Sequence, residues 1–337
     1  MKSKRKIKAE IIKSIINLGE AVPAEDESID MISSSGYRHI IDYAKTIFAI
    51  ETEKEASSFA PRLFHYTSID ALYSILSNGE LWLGNTESAN DISEMRWFLS
   101  RFEREGERVF DSKANKLFQC LYQKQLEPII GFSESTKVEP LYPYVMCFSQ
   151  NEDDAAQWER YAANATGACL VFNTKNMFKM FLESNILVAP VRYVKDIDEA
   201  ESFRALQRML QTDEYLNYHS VEDIIEDIYI DAATYKDTSF RSEAEIRAVA
   251  IEDAYNTYPN SIKYYCNKKA IKRCFVLNYI KACETAHLQP QDVLEGIVLG
   301  PRTSQNVRVL GAFCKNCGYT KLAGKIQQSN CPLNSQG

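Results

Sequence analysis

The sequence predicts an α+β fold, because short strands recur at uneven spacing, helices lie between them, and no regular βαβ series is present. Aromatic residues make up 11% of the chain, with 19 Tyr and 16 Phe, which favours β-rich packing and leaves rings for stacking on a flat ligand. With 45% hydrophobic residues among 337, the chain can bury a sizeable core. Its length is more than one typical domain and less than two large ones. The expected organisation is a helical region at 1–58 and one α+β domain at 59–337. A helical insertion is expected at about 196–235.

The elements follow from local signals. Ile7, Ile11, Ile15 and Leu18 recur at helical spacing up to Gly19, and a second helical stretch covers Tyr37–Ala49. LFHYT reads as a strand. Ser68 or Thr67 caps the following helix, which turns Ala71, Leu72, Ile75 and Leu76 inward and ends at Gly79. LWLG is a strand, NTESANDISE leads into a helix through Trp97, and a long helical segment runs to about Gln125. VMCFS is a short strand, after which the acidic Glu152–Asp154 suits a helix N-terminus. Gly167 is expected to stop that helix before the strand ACLVF. SFRSEAEIRAVAI, SIKYYC, RCFVLNY and LEGIVLG complete the strands, and a helix follows near the C-terminus.

Charge and cysteine usage narrow the class. With 39 basic and 46 acidic residues, net −7, no global field holds the chain on nucleic acid. Six of the first thirteen residues are basic, and a solvated helix face explains them best. Nine scattered cysteines suit a reducing compartment. The N-terminus is too polar for a signal peptide, and no stretch approaches the ~20 apolar residues that span a bilayer. A cytoplasmic protein without a membrane partner is expected.

Four places could carry chemistry. Alternation along Phe240–Ile251 puts Ser242, Ala244, Ile246, Ala248 and Ala250 on a core face. Arg241, Glu243, Glu245 and Arg247 share the other. Carboxylates two positions apart on one strand face sit ~7 Å apart, so one can steady a developing cation while the other activates a hydroxyl or amine. The competing explanation is a solvated face of Arg–Glu pairs. His65 stands between Phe64 and Tyr66 at a strand end, and His39, His219 and His287 lie at no metal-binding spacing from it. Asn90 and Asp91, with Asn85 nearby, are ordinary capping and turn residues that could also hold substrate hydroxyls. Trp158 and Tyr161, three apart on a helix, would form one aromatic patch, either core or a stacking wall. Cys314 and Cys317 are half a zinc site without its other half. No metal is expected.

Taken in order, LFHYTSIDALYSIL, GELWLGNTESANDISE, VMCFS, W-x-x-Y, GACLVF and the E-x-E-x-R strand resemble the bacterial family called domain of unknown function 2971. The likeness runs from about Leu63 to Gly300. A histidine in an H-x-T strand, followed by a helix and a short strand, is similar to the opening of the ADP-ribosyltransferase superfamily. That resemblance implies a split mixed or antiparallel β core with peripheral helices, NAD as substrate, and a His, a Tyr and a Glu from three core elements. Toxin or phage-defence roles would be in keeping with it.

Carried over, His65 would hold the NAD ribose, and Thr67 would lie near the nicotinamide amide. Glu245 would stabilise an oxocarbenium-like ribose and Glu243 would activate the acceptor. Tyr161, with Tyr66 in reserve, would stack on nicotinamide beside Trp158. Asn90, Asp91 and Arg247 complete the ligand-binding set. Two departures stand out: Tyr66 occupies the place of the usual glycine after the histidine, and Ser149 is only part of a Ser-Thr-Ser. The expected function is cleavage of the nicotinamide–ribose bond, with transfer of ADP-ribose to a nucleic acid, a protein or water. The alternatives are a nuclease holding Mg²⁺ on Asp91, Glu94, Glu243 and Glu245, against which Arg247 replaces the usual lysine, and a nucleotide-sensing or protein-binding module without turnover.

Overall fold

The computed structural model describes residues 59–86, 92–109, 143–184, 186–197, 230–250, 261–266 and 270–333. The helical region expected at 1–58, most of the insertion expected at 196–235, Asn90, Asp91 and the side chain of Glu94 lie outside them. The described chain is mixed α+β, with a mainly antiparallel sheet and several helices.

Strand β1 (Arg62–Thr67) leads into α1 (Ile69–Asn78). Ser68 Oγ accepts the Ala71 N–H and so caps the helix, and Gly79 closes it at φ 63°, a conformation that costs a residue with a Cβ. Leu72, Ile75 and Leu76 face the core, whereas Ala71 is only half-buried. Strand β2 (Glu80–Asn85) and helix α2 (Ile92–Val109) follow, then β3 (Tyr144–Ser149). Helix α3 (Ala155–Tyr161) is capped by Asp154, whose Oδ1 accepts the Gln157 N–H at 2.9 Å.

Helix α3 ends at Tyr161 rather than running on to Gly167. Ala163, Asn164 and Ala165 take positive φ, 50°, 55° and 67°, and these turn the chain before the glycine is reached. Gly167 serves a close approach instead: a Cβ there would lie 2.1 Å from the Thr67 carbonyl oxygen. Strand β4 (Ala168–Asn173), helix α4 (Thr174–Glu183) and strand β5 (Leu187–Pro190) come next. Then β6 (Arg192–Val194) and β7 (Tyr235–Asp237) pair in parallel as a small separate sheet, so Tyr235 opens a strand rather than closing a helical insertion. The remaining elements are β8 (Glu245–Ala250), β9 (Ile262–Cys266), β10 (Ile271–Asn278), α5 (Tyr279–Thr285), α6 (Pro290–Val293), β11 (Leu294–Leu299), α7 (Val307–Asn316) and β12 (Ile326–Gln328).

Among the described residues the main sheet has ten strands, with the path β12-β11-β4-β1-β3-β2-β10-β9 and β8 bridging β3 and β5. Of its pairs among the described residues, only β11–β12 is parallel. Strand β3 is the pivot. One edge pairs along its whole length with β8, from Tyr144↔Ala250 to Ser149↔Glu245. The other is shared: Ser149 pairs with Phe64 of β1, and Val145 pairs with Gly84 of β2. Strands β1 and β2 therefore part beside β3, and Cys147 lies at the fork.

Both faces of the sheet are covered, so strands such as β4 read as continuous apolar runs. Leu63, Leu170, Phe172, Met146 and Phe148 join the main core with α1, α4, α5 and α7. Phe64, Tyr66, Cys169 and Val171 point the other way, into a smaller core with Trp158, Ala162 and Ala165. Cys314 is fully buried in the main core and its thiol, like that of Cys317, is free. No three His, Cys, Asp or Glu among the described residues are placed to hold a metal ion. No described helix is long and apolar enough to cross a membrane.

Candidate functional site

A cavity of about 560 Å³ opens at the fork, within the range of small-molecule sites. His65 from β1, Trp82 from β2, Cys147 from β3, Tyr161 from α3, Lys236 from β7, Glu243 from the turn before β8 and Glu245 at the start of β8 all line it. Three segments far apart in sequence thus deliver the histidine, the tyrosine and the two acids to one place.

His65 owes its position to the fork. Its Nδ1 lies 2.8 Å from the Cys147 carbonyl oxygen, at the edge where neither β1 nor β2 continues the ladder. A carbonyl only accepts, so Nδ1 carries the proton, and the neutral ring keeps Nε2 as an acceptor. Burial lowers the His65 pKa, and the bond to the Cys147 carbonyl opposes that only in part. The imidazole is therefore neutral at physiological pH and suited to accepting a bond from a hydroxyl.

The alternation of Phe240–Ile251 predicts one strand, but the chain begins β8 only at Glu245. Thr238–Glu243 forms a 3₁₀ turn, and Ala244 takes φ 44°, ψ 50°. Such a conformation costs an alanine on the order of 1 kcal/mol. The two glutamates consequently do not share a strand face by alternation. They are brought together by Lys236. Its Nζ lies 2.8 Å from Glu243 Oε2 and 2.7 Å from Glu245 Oε2, so those oxygens are no further apart than the two contacts combined.

Neither acid faces open solvent: Glu243 is 5% and Glu245 7% exposed. Glu243 Oε1 accepts from the Tyr161 hydroxyl at 2.8 Å and from Arg160 Nη1 at 3.1 Å. Its carbonyl accepts from Ser149 Oγ at 2.8 Å. Arg247 grips Glu245 with Nε at 2.7 Å and Nη2 at 3.1 Å while Nη1 donates to the Ala233 carbonyl. The Glu245 N–H donates to the Tyr193 hydroxyl. Burial alone would raise the Glu245 pKa, but Arg247 and then Lys236 outweigh it and hold the carboxyl at about 2. Desolvation at the cavity wall and the neighbouring Glu245 push the Cys147 thiol up, so it stays protonated although it is exposed to the cleft. Burial and the Glu243 carboxylate do the same for the Tyr161 phenol.

Other expected site residues lie elsewhere. Trp158 is fully buried in the smaller core, with Nε1 donating to Asp153 Oδ1 at 2.7 Å. It forms no patch with Tyr161, which is 46% exposed, because α3 rides at the cavity rim and its two sides meet core and cleft. Tyr66 reaches the cavity wall, but its ring packs edge-on against Trp158 and its hydroxyl donates to the Asn151 carbonyl. Thr67 is buried at 9% exposure and is not part of the lining. Arg247 does line the cavity, although its guanidinium is committed to Glu245 and Ala233. Asn85, which is 2% exposed, contributes nothing to the lining either.

Lys236, Arg160, Cys147 and Tyr193 escape the sequence. Nothing in periodicity distinguishes Lys236 from a surface lysine, since its function comes from carboxylates on a later segment. The W-x-x-Y spacing points to the neighbourhood of Arg160 without singling it out.

The family model described as Protein of unknown function (DUF2971) matches residues 157–248. That stretch contains Tyr161, Lys236, Glu243, Glu245 and Arg247 and leaves out His65, and it supports the likeness to that family over a minority of the chain. No curated protein and no solved structure matches the chain.

Proposed function

We propose that the cavity at the fork is an NAD site of the ADP-ribosyltransferase type, in which the nicotinamide–ribose bond breaks and ADP-ribose passes to a macromolecule or to water. One observation carries this reading: His65, Tyr161, Glu243 and Glu245, from separate elements, line a single cavity where an antiparallel sheet splits. Neutral His65 would accept a bond from a ribose hydroxyl through Nε2. The exposed Tyr161 ring would stack on the nicotinamide. As the bond breaks, its electron pair leaves with nicotinamide and positive charge grows on the ribose. Ionised carboxylates fixed nearby favour that state over the ground state. With a pKa of about 2, Glu245 serves as a permanent anion rather than a base, which leaves acceptor activation to Glu243.

A magnesium nuclease fits less well, because the Lys236 ammonium occupies the space between the two carboxylates where a divalent ion would bind. A second reading has a specific observation in its favour. Both glutamates are fully engaged by Lys236, Arg247, Arg160 and Tyr161, which reduces the field they can offer a ribose cation. Nucleotide binding without turnover would follow.

The test incubates the purified full chain with NAD labelled in the adenine and in the nicotinamide, with and without cell extract. Nicotinamide release that Glu245→Gln abolishes supports the enzyme. Saturable binding without release supports the second reading. Neither binding nor release would remove NAD from consideration.

A further inference from the structure

Glu243 and Glu245 flank a strained alanine, are almost wholly buried, and turn one oxygen each toward a common point. Two carboxylates so placed repel one another, and without water one of them ordinarily takes a proton. Lys236, itself 4% exposed, occupies that common point. Its strand belongs to the small β6–β7 sheet, so the ammonium also ties that sheet to the start of β8 in the main one. Tyr193 from β6 reinforces the tie through the Glu245 N–H. Arg160 pairs with Glu243 and Arg247 with Glu245, whereas Lys236 bridges the two.

We propose that Lys236 is the positioning residue of this site, a buried ammonium clamp that holds the two carboxylates side by side and lets both remain charged. It works through the glutamates and needs no contact with substrate. The groups around the pair are Arg160 and Tyr161 from α3, Cys147 from β3, Tyr193 from β6, Arg247 from β8 and His65 from β1 across the cavity. Of these only His65 has an ordinary pKa near neutrality, and it is common to every variant below, so differences between variants do not come from it. The clamp deepens the NAD reading in its catalytic arm and stands apart from it in its stability arm.

The experiment uses the full chain as wild type, Lys236→Met, Lys236→Arg and the double variant Lys236→Met/Glu243→Gln. Thermal unfolding is followed from pH 5 to 8, and nicotinamide release is followed over the same range. In Lys236→Met one glutamate gains a raised native pKa, so the native state binds the extra proton and stability falls as pH rises through that value. Wild type, Lys236→Arg and the double variant lack this fall. Turnover by Lys236→Met decreases about tenfold for each pH unit below the raised pKa, with KM changing less, and Lys236→Arg restores the wild-type profile.

A Lys236→Met protein whose unfolding follows the wild-type pH dependence overturns the clamp, whatever NAD does. The predicted fall in stability, together with no turnover in any protein including wild type, upholds the clamp and rejects the NAD reading. If Lys236→Met does not fold, the double variant decides. Folding regained by removing the Glu243 charge upholds the clamp, and no recovery overturns it.

Discussion

Two acidic clusters flank helix α3, and they differ in what surrounds them. On one side Asp153 takes Trp158 Nε1 and Ser329 Oγ on Oδ1 and the Asn330 N–H on Oδ2. Its partners are neutral donors, and they lash the C-terminal segment to the smaller core, where Leu333 and Cys331 also pack. On the other side Glu243 and Glu245 meet Lys236, Arg160 and Arg247 at the wall of a cavity. An acid held by neutral donors, outside the lining of the cavity, is a structural tie. Two buried acids bridged by a buried lysine beside a cleft mark a place where charge is worth maintaining.

The contrast breaks most readily at the two acids themselves. Glu245→Gln should lower nicotinamide release by roughly 10²–10³-fold, the size of effect seen when a fixed transition-state partner is removed. Asp153→Asn should leave turnover within about threefold of wild type at a temperature where it is folded, and lower Tm through bonds worth about 1–3 kcal/mol. Parallel assays and melting curves check both; equal losses of turnover would erase the distinction.

Helix α3 offers the next test. Trp158→Ala empties the smaller core and strands Asp153, so about 3–5 kcal/mol of stability should go, measured by denaturant unfolding. An intermediate effect belongs to acid. The Glu245 pKa is depressed in the folded chain, so its contribution is present above its ordinary value of 4.5 and is lost as pH falls from there toward about 2. On the order of 3 kcal/mol is at stake, and Glu245→Gln should flatten that part of the stability–pH curve. The smallest effect falls at Tyr161→Phe. Removing one partly exposed hydroxyl should cost about 1 kcal/mol or less, while loss of its bond to Glu243 shows as a changed KM for NAD. Alanine there should raise KM further by removing the ring.

Much of the fold was legible in the chain. Ser68 and Gly79 bracket their helix as local capping rules require, and LFHYT, VMCFS, ACLVF and LEGIVLG are all strands. The site was legible in its members more than in its geometry. His65, Tyr161, Glu243 and Glu245 do share a cavity, whereas Thr67 and Trp158 belong to packing. Strand alternation put the glutamates together for a reason the chain does not follow, since the turn at Ala244 breaks the period. A positive φ at alanine carries no mark in sequence, because the residue it favours there would be glycine or asparagine.

By itself the sequence determined the α+β class, the strand and helix segments with their caps, and which residues were chemically equipped to act, because these depend on neighbours a few positions away. Tertiary structure alone decided that β1 and β2 part at Cys147, that Trp158 turns inward while Tyr161 turns outward, and that Lys236 joins two acids. The reason is electrostatic as much as geometric. A buried charge is tolerable only beside its partner. Here Arg247 lies on the strand of Glu245 itself, whereas Arg160 from α3 and Lys236 from the small sheet reach the pair only when those elements have packed against β8.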